Sequence, residues 1–148
     1  GLRIDALRAL STCGRVDIYG AAVGRPVERK IDVARNYRFM LCFENQARPG
    51  YVTEKIVDAW AAGCLPIWYG LDNHNLLNSQ SFVNLAEMTS LSELVEVVAQ
   101  IDKTPNLLDE KVAQPLVTSS FDLSKSIEQL REMAFALWDI PKYPGLTR

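Results

Sequence analysis

Two nearly continuous apolar runs of strand length, Tyr37 to Phe43 (YRFMLCF) and Cys64 to Gly70 (CLPIWYG), constrain this chain more than any other feature. A strand wetted on one face alternates apolar with polar residues, whereas a run apolar at almost every position has both faces covered, as in a parallel sheet between helices. Between the runs, Thr53 is a good N-cap, Ile56, Val57, Trp60 and Ala61 form one apolar stripe, and Gly63 stops the helix. Lys55 and Asp58 lie off that stripe. Parallel neighbours need a crossover, and the crossover is usually helical, so this order predicts a parallel α/β sheet with Tyr37–Phe43 at its centre.

The remainder fits the same plan. Leu2, Ala6, Leu7 and Leu10 recur at helical spacing ahead of Cys13 and Gly14, predicting a helix over 2–13. "RVDIYG" at Arg15 to Gly20 reads as a short strand, Gly20 to Arg35 as a surface loop, "DNHNLLN" as a short helix or turn, and "SFVNL" as another strand. Beyond Leu85 the pattern is helical only. Ser90 to Glu93 forms a capping box, Thr104 with Pro105 opens a second helix, and Ser124 opens "KSIEQLREMAFALW". With no repeat and no long linker, residues 1–148 read as a single domain with extra C-terminal helices.

The composition excludes several partners. A formal net charge of -2, with 23% charged residues, offers no electrostatic reason to bind nucleic acid. No apolar run approaches the roughly 20 residues a membrane span needs. Cys13, Cys42 and Cys64 are odd in number and lack a C-x-x-C pair, which points to free buried thiols in a reducing cytosolic setting. The chain enters helical periodicity directly after Gly1, as expected of a part cut from a longer polypeptide.

The chemistry concentrates in "FENQARPGYVTEK", Phe43 to Lys55. Ligands of open parallel sheets lie outside the carboxyl ends of the strands, where helix N-termini aim free N–H groups at phosphates. A strand ending at Phe43 and a helix capped by Thr53 would bring Glu44, Asn45, Tyr51, Glu54 and Lys55 to such a place. Lys55 could neutralise a diphosphate, Asn45 could meet a base or ribose, Tyr51 could stack or donate its hydroxyl, and Glu54 could accept from sugar hydroxyls. Acids in a first helical turn and a tyrosine over a loop also have purely structural explanations, and both readings stand on residue types alone. Arg3, in the first turn of the opening helix, is either a second such cation or a solvated one.

Other chemistries lack their residues. No G-x-G-x-x-G follows a strand, "GAAVG" at Gly20 to Gly24 lacks the third glycine, and no Walker sequence occurs. His74 is the sole histidine and no G-x-S-x-G elbow accompanies it, so it reads as a surface turn residue. One histidine and three scattered cysteines do not make a zinc site, and no D-x-D is present to carry a metal on a diphosphate.

The run from Arg3 through "GRVDIYG", "YRFMLCFEN", "GYVTEK", "AGCLPIWYG" and "SFVNL", and more loosely through "PN" at Pro105 and "PL" at Pro115, resembles the C-terminal donor-binding domain of the α-1,3/1,4-fucosyltransferases of glycosyltransferase family 10. The "LCFEN" and "PIWYG" forms resemble bacterial members more than Golgi ones. The resemblance implies a Rossmann-like half of a GT-B enzyme that moves L-fucose from GDP-β-L-fucose to N-acetylglucosamine or glucose of an acceptor glycan, with inversion. It implies that Lys55 and Arg3 bind the diphosphate, that Asn45 and Tyr51 contact the nucleotide, and that Glu54 contacts the fucose, with Glu44 nearby in a less defined part. The acceptor and the general base belong to an N-terminal domain outside this chain, so no residue here is assigned as catalytic. With no D-x-D, no cofactor and no metal are expected, and the cysteine pattern points to a cytoplasmic protein, expected to sit peripherally at the inner membrane at full length. A stand-alone nucleotide-binding module, or a GT-B transferase using another nucleotide sugar, are the alternative readings.

Overall fold

The computed structural model of the chain describes residues 1–72 and 75–118. Its elements are α1 (Leu2–Leu10), α2 (Lys30–Ala34), β1 (Phe39–Phe43), α3 (Glu54–Ala61), β2 (Leu65–Tyr69), β3 (Val83–Asn84), α4 (Leu91–Lys103) and α5 (Pro105–Val112). The strands form one parallel sheet in the order β1-β2-β3, with Phe39 beside Leu65, Phe43 beside Tyr69 and Ile67 beside Val83.

Both faces of this sheet are covered, which is why its strands are apolar at successive positions. Phe43, Leu65, Ile67 and Val83 pack on one face against Ala6 and Leu10 of α1, Leu94, Val98 and Ile101 of α4, and Leu108 of α5. Cys42 and Trp68 point to the other face, against Ala34 of α2 and Ile56 and Ala59 of α3. Each fully buried large side chain contributes roughly 1.5–3 kcal/mol, so these two layers supply the main driving force of folding.

Several expectations are corrected. Among the described residues β1 lies at one edge of the sheet, and β2 holds the centre. The strand expected at "RVDIYG" does not form: Arg15 to Tyr19 has no regular secondary structure, and Gly20 bridges antiparallel to Arg25 instead. The cause is local. Asp17, in the middle of this run, is tied to Arg15 at 2.9 Å, Arg25 at 3.4 Å and the Tyr37 hydroxyl at 3.0 Å, while Arg25 sits 4.3 Å from the centroid of the Tyr19 ring.

The opening helix ends at Leu10 rather than Cys13, and the expected loop over 20–35 contains a 3-10 turn at Ala21–Val23 as well as α2. On α3 the buried residues are Ile56 and Ala59, three apart, whereas Val57, Trp60 and Ala61 of the expected stripe are exposed. Trp60 finds a use for its indole N–H, donating to the Gln114 carbonyl at 2.9 Å. The Ser90 hydroxyl caps α4 by accepting from Glu93 N–H, but the Glu93 carboxylate reaches one residue further back, to the N–H and hydroxyl of Thr89. His74 and the helix expected from Ser124 lie outside the described residues.

Candidate functional site

The chain leaves β1 at Phe43 and enters α3 at Glu54, so the intervening loop crosses the carboxyl end of the sheet. Glu44 N–H continues the strand ladder by donating to the Tyr69 carbonyl at 3.0 Å. Further on, Pro49 bridges to Leu71, and Gly50, at a φ of 72°, turns the chain toward Tyr51. A side chain at that φ would be strained, which accounts for the glycine.

Glu44 turns inward. Its Oε1 accepts from Thr53 N–H at 2.9 Å and from the Trp68 indole N–H at 3.3 Å, while its Oε2 accepts from the Thr53 hydroxyl at 2.7 Å and from Lys55 Nζ at 3.3 Å. Burial alone would raise the pKa of this carboxyl, but the bonds from Thr53, Trp68 and Lys55 together outweigh it and hold the group below its ordinary range. Thr53 occupies the N-cap position of α3 without capping it, because its hydroxyl is engaged by Glu44.

Arg3 reaches the same strand end from α1. Its Nη2 donates to the Phe43 carbonyl at 3.3 Å, and its guanidinium lies 5.6 Å from the centroid of the Phe43 ring. Arg3, Phe43 and Lys55 line one groove of about 510 Å³, whose further walls include Tyr19, Lys30 and Tyr37. The structure therefore brings Arg3 and Lys55 together. Asn45, Tyr51 and Glu54 are exposed, and their side chains make no hydrogen bond among the described residues. Glu44 is close to Lys55 but faces protein on every side, with no exposed side-chain area.

Another part of the groove lining carries a feature that residue patterns did not signal. Tyr37 donates to Asp17 Oδ2 at 3.0 Å and accepts from the Tyr19 hydroxyl at 2.8 Å. The bond with Tyr19, burial and the bond with Asp17 all raise the pKa of the Tyr37 phenol. Asp17 is held below its ordinary range, chiefly by Arg15 and then by Tyr37. Lys30 adds a third cation to the lining. Asp17 and Tyr19 sit in the segment read as a short strand and Lys30 in the expected surface loop over 20–35, while Tyr37 opens the apolar run that ends at Phe43. Among the described residues no group of three or more His, Cys, Asp or Glu side chains could hold a metal ion, and no helix is long and apolar enough to cross a membrane.

A doubly covered parallel sheet with two cations and an uncapped helix N-terminus at one strand's carboxyl end defines an α/β domain suited to an anionic nucleotide ligand. Comparison with known proteins agrees with that class. Residues 2–110 match the C-terminal part of glycosyltransferase family 10 (fucosyltransferase), and the chain belongs to this family. The chain is 35% identical over 116 residues to the alpha-(1,3)-fucosyltransferase FucT of Helicobacter pylori, a match covering 77% of this chain and 24% of that protein. It is 32% identical over 110 residues to human 4-galactosyl-N-acetylglucosaminide 3-alpha-L-fucosyltransferase 9, covering 71% of this chain and 31% of the relative.

Solved structures give the same answer. A crystal structure of alpha1,3-fucosyltransferase with GDP superimposes with a TM-score of 0.84 at 26% identity, over 95% of this chain and 44% of that one. The corresponding structure with GDP-fucose gives 0.79 at 26% identity, over 89% and 43%. The fold class expected from the two apolar runs, and the family expected from the motifs, are thereby established. The chain spans about a quarter to a third of the curated relatives, from 24% to 31% of their length.

Proposed function

We propose that this chain is the donor-binding domain of an inverting α-1,3-fucosyltransferase, and that its groove holds the diphosphate of GDP-fucose. The observation that carries this reading is the convergence of Arg3 and Lys55 on one groove at the carboxyl end of β1, beside an α3 N-terminus that has no side-chain cap. Transfer develops negative charge on the departing diphosphate while the sugar becomes oxocarbenium-like, so fixed cations and N–H groups on the leaving-group side stabilise the transition state. Lys55 and Arg3 perform that duty without a divalent ion. Asn45 and Tyr51 are exposed and thus available to the nucleoside, and the exposed Glu54 is available to the fucose hydroxyls. The acceptor, N-acetylglucosamine or glucose of a glycan, and the general base belong to an N-terminal domain of the full-length enzyme. We assign the protein to the cytoplasm of a bacterium, peripheral to the inner membrane, in keeping with its buried free thiols Cys42 and Cys64.

Calorimetry on the full-length protein with GDP, UDP and ADP tests this reading. GDP binds most tightly, and Lys55→Ala weakens it by about 1.5–3 kcal/mol, the scale of one charge-assisted hydrogen bond. Equal affinity for the three nucleotides refutes the assignment.

A further inference from the structure

Resting on the reading of the groove as a diphosphate site, we propose that Glu44 is a positioning residue that acts through the Thr53 hydroxyl to hold the Lys55 ammonium toward the groove. A carboxylate with no exposed area is costly to bury unless its acceptor sites are filled. A carboxylate offers about four lone-pair sites. Glu44 fills them with Thr53 N–H and Trp68 Nε1 on one oxygen, and the Thr53 hydroxyl and Lys55 Nζ on the other. Nothing is left over for a sugar or a phosphate, so Glu44 reaches the ligand only through its neighbours.

The direction of the chain of bonds follows from donor count. The Thr53 hydroxyl has one proton and gives it to Glu44 at 2.7 Å, so it meets Lys55 Nζ, 3.0 Å away, as an acceptor. An ammonium has three N–H donors. Two are fixed inward, on Thr53 and Glu44, and the third is left for the groove that Lys55 lines. The same hydroxyl is thereby withdrawn from capping α3, which leaves the helix N–H groups without a side-chain partner. One buried acid thus sets both the aim of the cation and the openness of the helix end.

The test uses the full-length protein and GDP as the probe, with Thr53→Val, Thr53→Ser and Lys55→Ala compared by calorimetry and thermal melting. Thr53→Val keeps the backbone bond to Glu44 and the side-chain volume but removes the relay, and GDP affinity falls about tenfold, the loss of one charge-assisted bond. Thr53→Ser restores affinity to within about twofold of the parent, because the hydroxyl is back. A Thr53→Val protein that melts lower yet binds GDP unchanged, or a Thr53→Ser protein that binds as weakly as Thr53→Val, overturns the positioning role while leaving the groove assignment standing. If Lys55→Ala itself leaves GDP affinity unchanged, the groove assignment fails and the positioning role with it.

Discussion

Gly70→Ala probes the support behind the site. Gly70 is buried at the end of β2, and the indole of Trp68 folds across it. A methyl group built there would lie 2.6 Å from Trp68 Cε2 and 2.9 Å from Cη2, and closer still to Cζ2. The obstacle is no flexible chain end. Trp68 is 0% exposed, meets Phe82 edge-on at 5.6 Å, and donates its indole N–H to Glu44 at 3.3 Å. The ring must move, and in moving it gives up that bond. Overpacking of a core costs typically 1–3 kcal/mol, and a hydrogen bond to a charged acceptor contributes about 1.5–3 kcal/mol. Together they predict a loss of about 2.5–6 kcal/mol, or a melting temperature lower by about 5–24 °C in a protein of this size. The assay is urea denaturation followed by tryptophan fluorescence. Gly63→Ala is the comparison, because Gly63 has a φ of +79° but nothing within 4 Å of a built methyl. Its cost is the left-handed backbone alone, about 1–2 kcal/mol. If Gly70→Ala destabilises no more than Gly63→Ala, the ring is free to yield and the proposed rigidity of the Trp68–Glu44 contact is wrong.

Two further outcomes follow from the titrating groups. The Glu44 carboxyl lies below its ordinary value of 4.5 in the folded chain, so the unfolded chain takes up the proton first as pH falls. Its stabilising contribution is complete above that ordinary value and is lost as pH drops through the folded one; denaturation at about pH 6 and about pH 3.5 should show a smaller difference for Glu44→Gln than for the parent. Native thiol titration with a disulfide reagent should label Cys13 quickly, since it is exposed, while burial pushes the Cys42 thiol up to about 12 and also raises that of Cys64. One fast thiol before denaturation and all three after it is the expected result; fast labelling of Cys42 or Cys64 contradicts the packing of the sheet face they occupy.

What was legible in the sequence was what depends on neighbours along the chain. The apolar runs and the helical crossover between them are local signals, and β1, α3 and β2 follow them to within two residues at each end, although Thr53 does not cap α3 as expected. The helices from Ser90 and Thr104 begin where their caps indicate. The errors fell where a long-range contact overrode a local preference. Arg15 to Tyr19 has the composition of a strand, yet ionic bonds of Asp17 to Arg25 and the hydroxyl bond from Tyr37 arrest it short of the sheet. Likewise, on α3 Ile56 of the expected stripe is buried, whereas Val57 and Trp60 face outward because Ile56 and Ala59 are the pair that meets Cys42 and Trp68.

The site shows the same limit more sharply. Glu44 and Glu54 are both acids beside one helix start, and nothing in their spacing tells them apart. One is 4% exposed and the other lies open to solvent. The difference arises from Trp68, 24 residues further on, whose indole can meet Glu44 only because β1 and β2 pair in the register that sets Cys42 beside Trp68. Arg3 depends on distance in the same way, reaching the Phe43 carbonyl across 40 residues of sequence. A parallel register slipped by one residue would turn Trp68 to the opposite face and leave the Glu44 carboxylate short of a donor. Lys55 would then be held by an acid that is itself unanchored. The proposed aim of the groove's cation is therefore a property of strand pairing, and mutations in β2 that displace Trp68 should weaken GDP binding in calorimetry before they disturb the helix that carries Lys55.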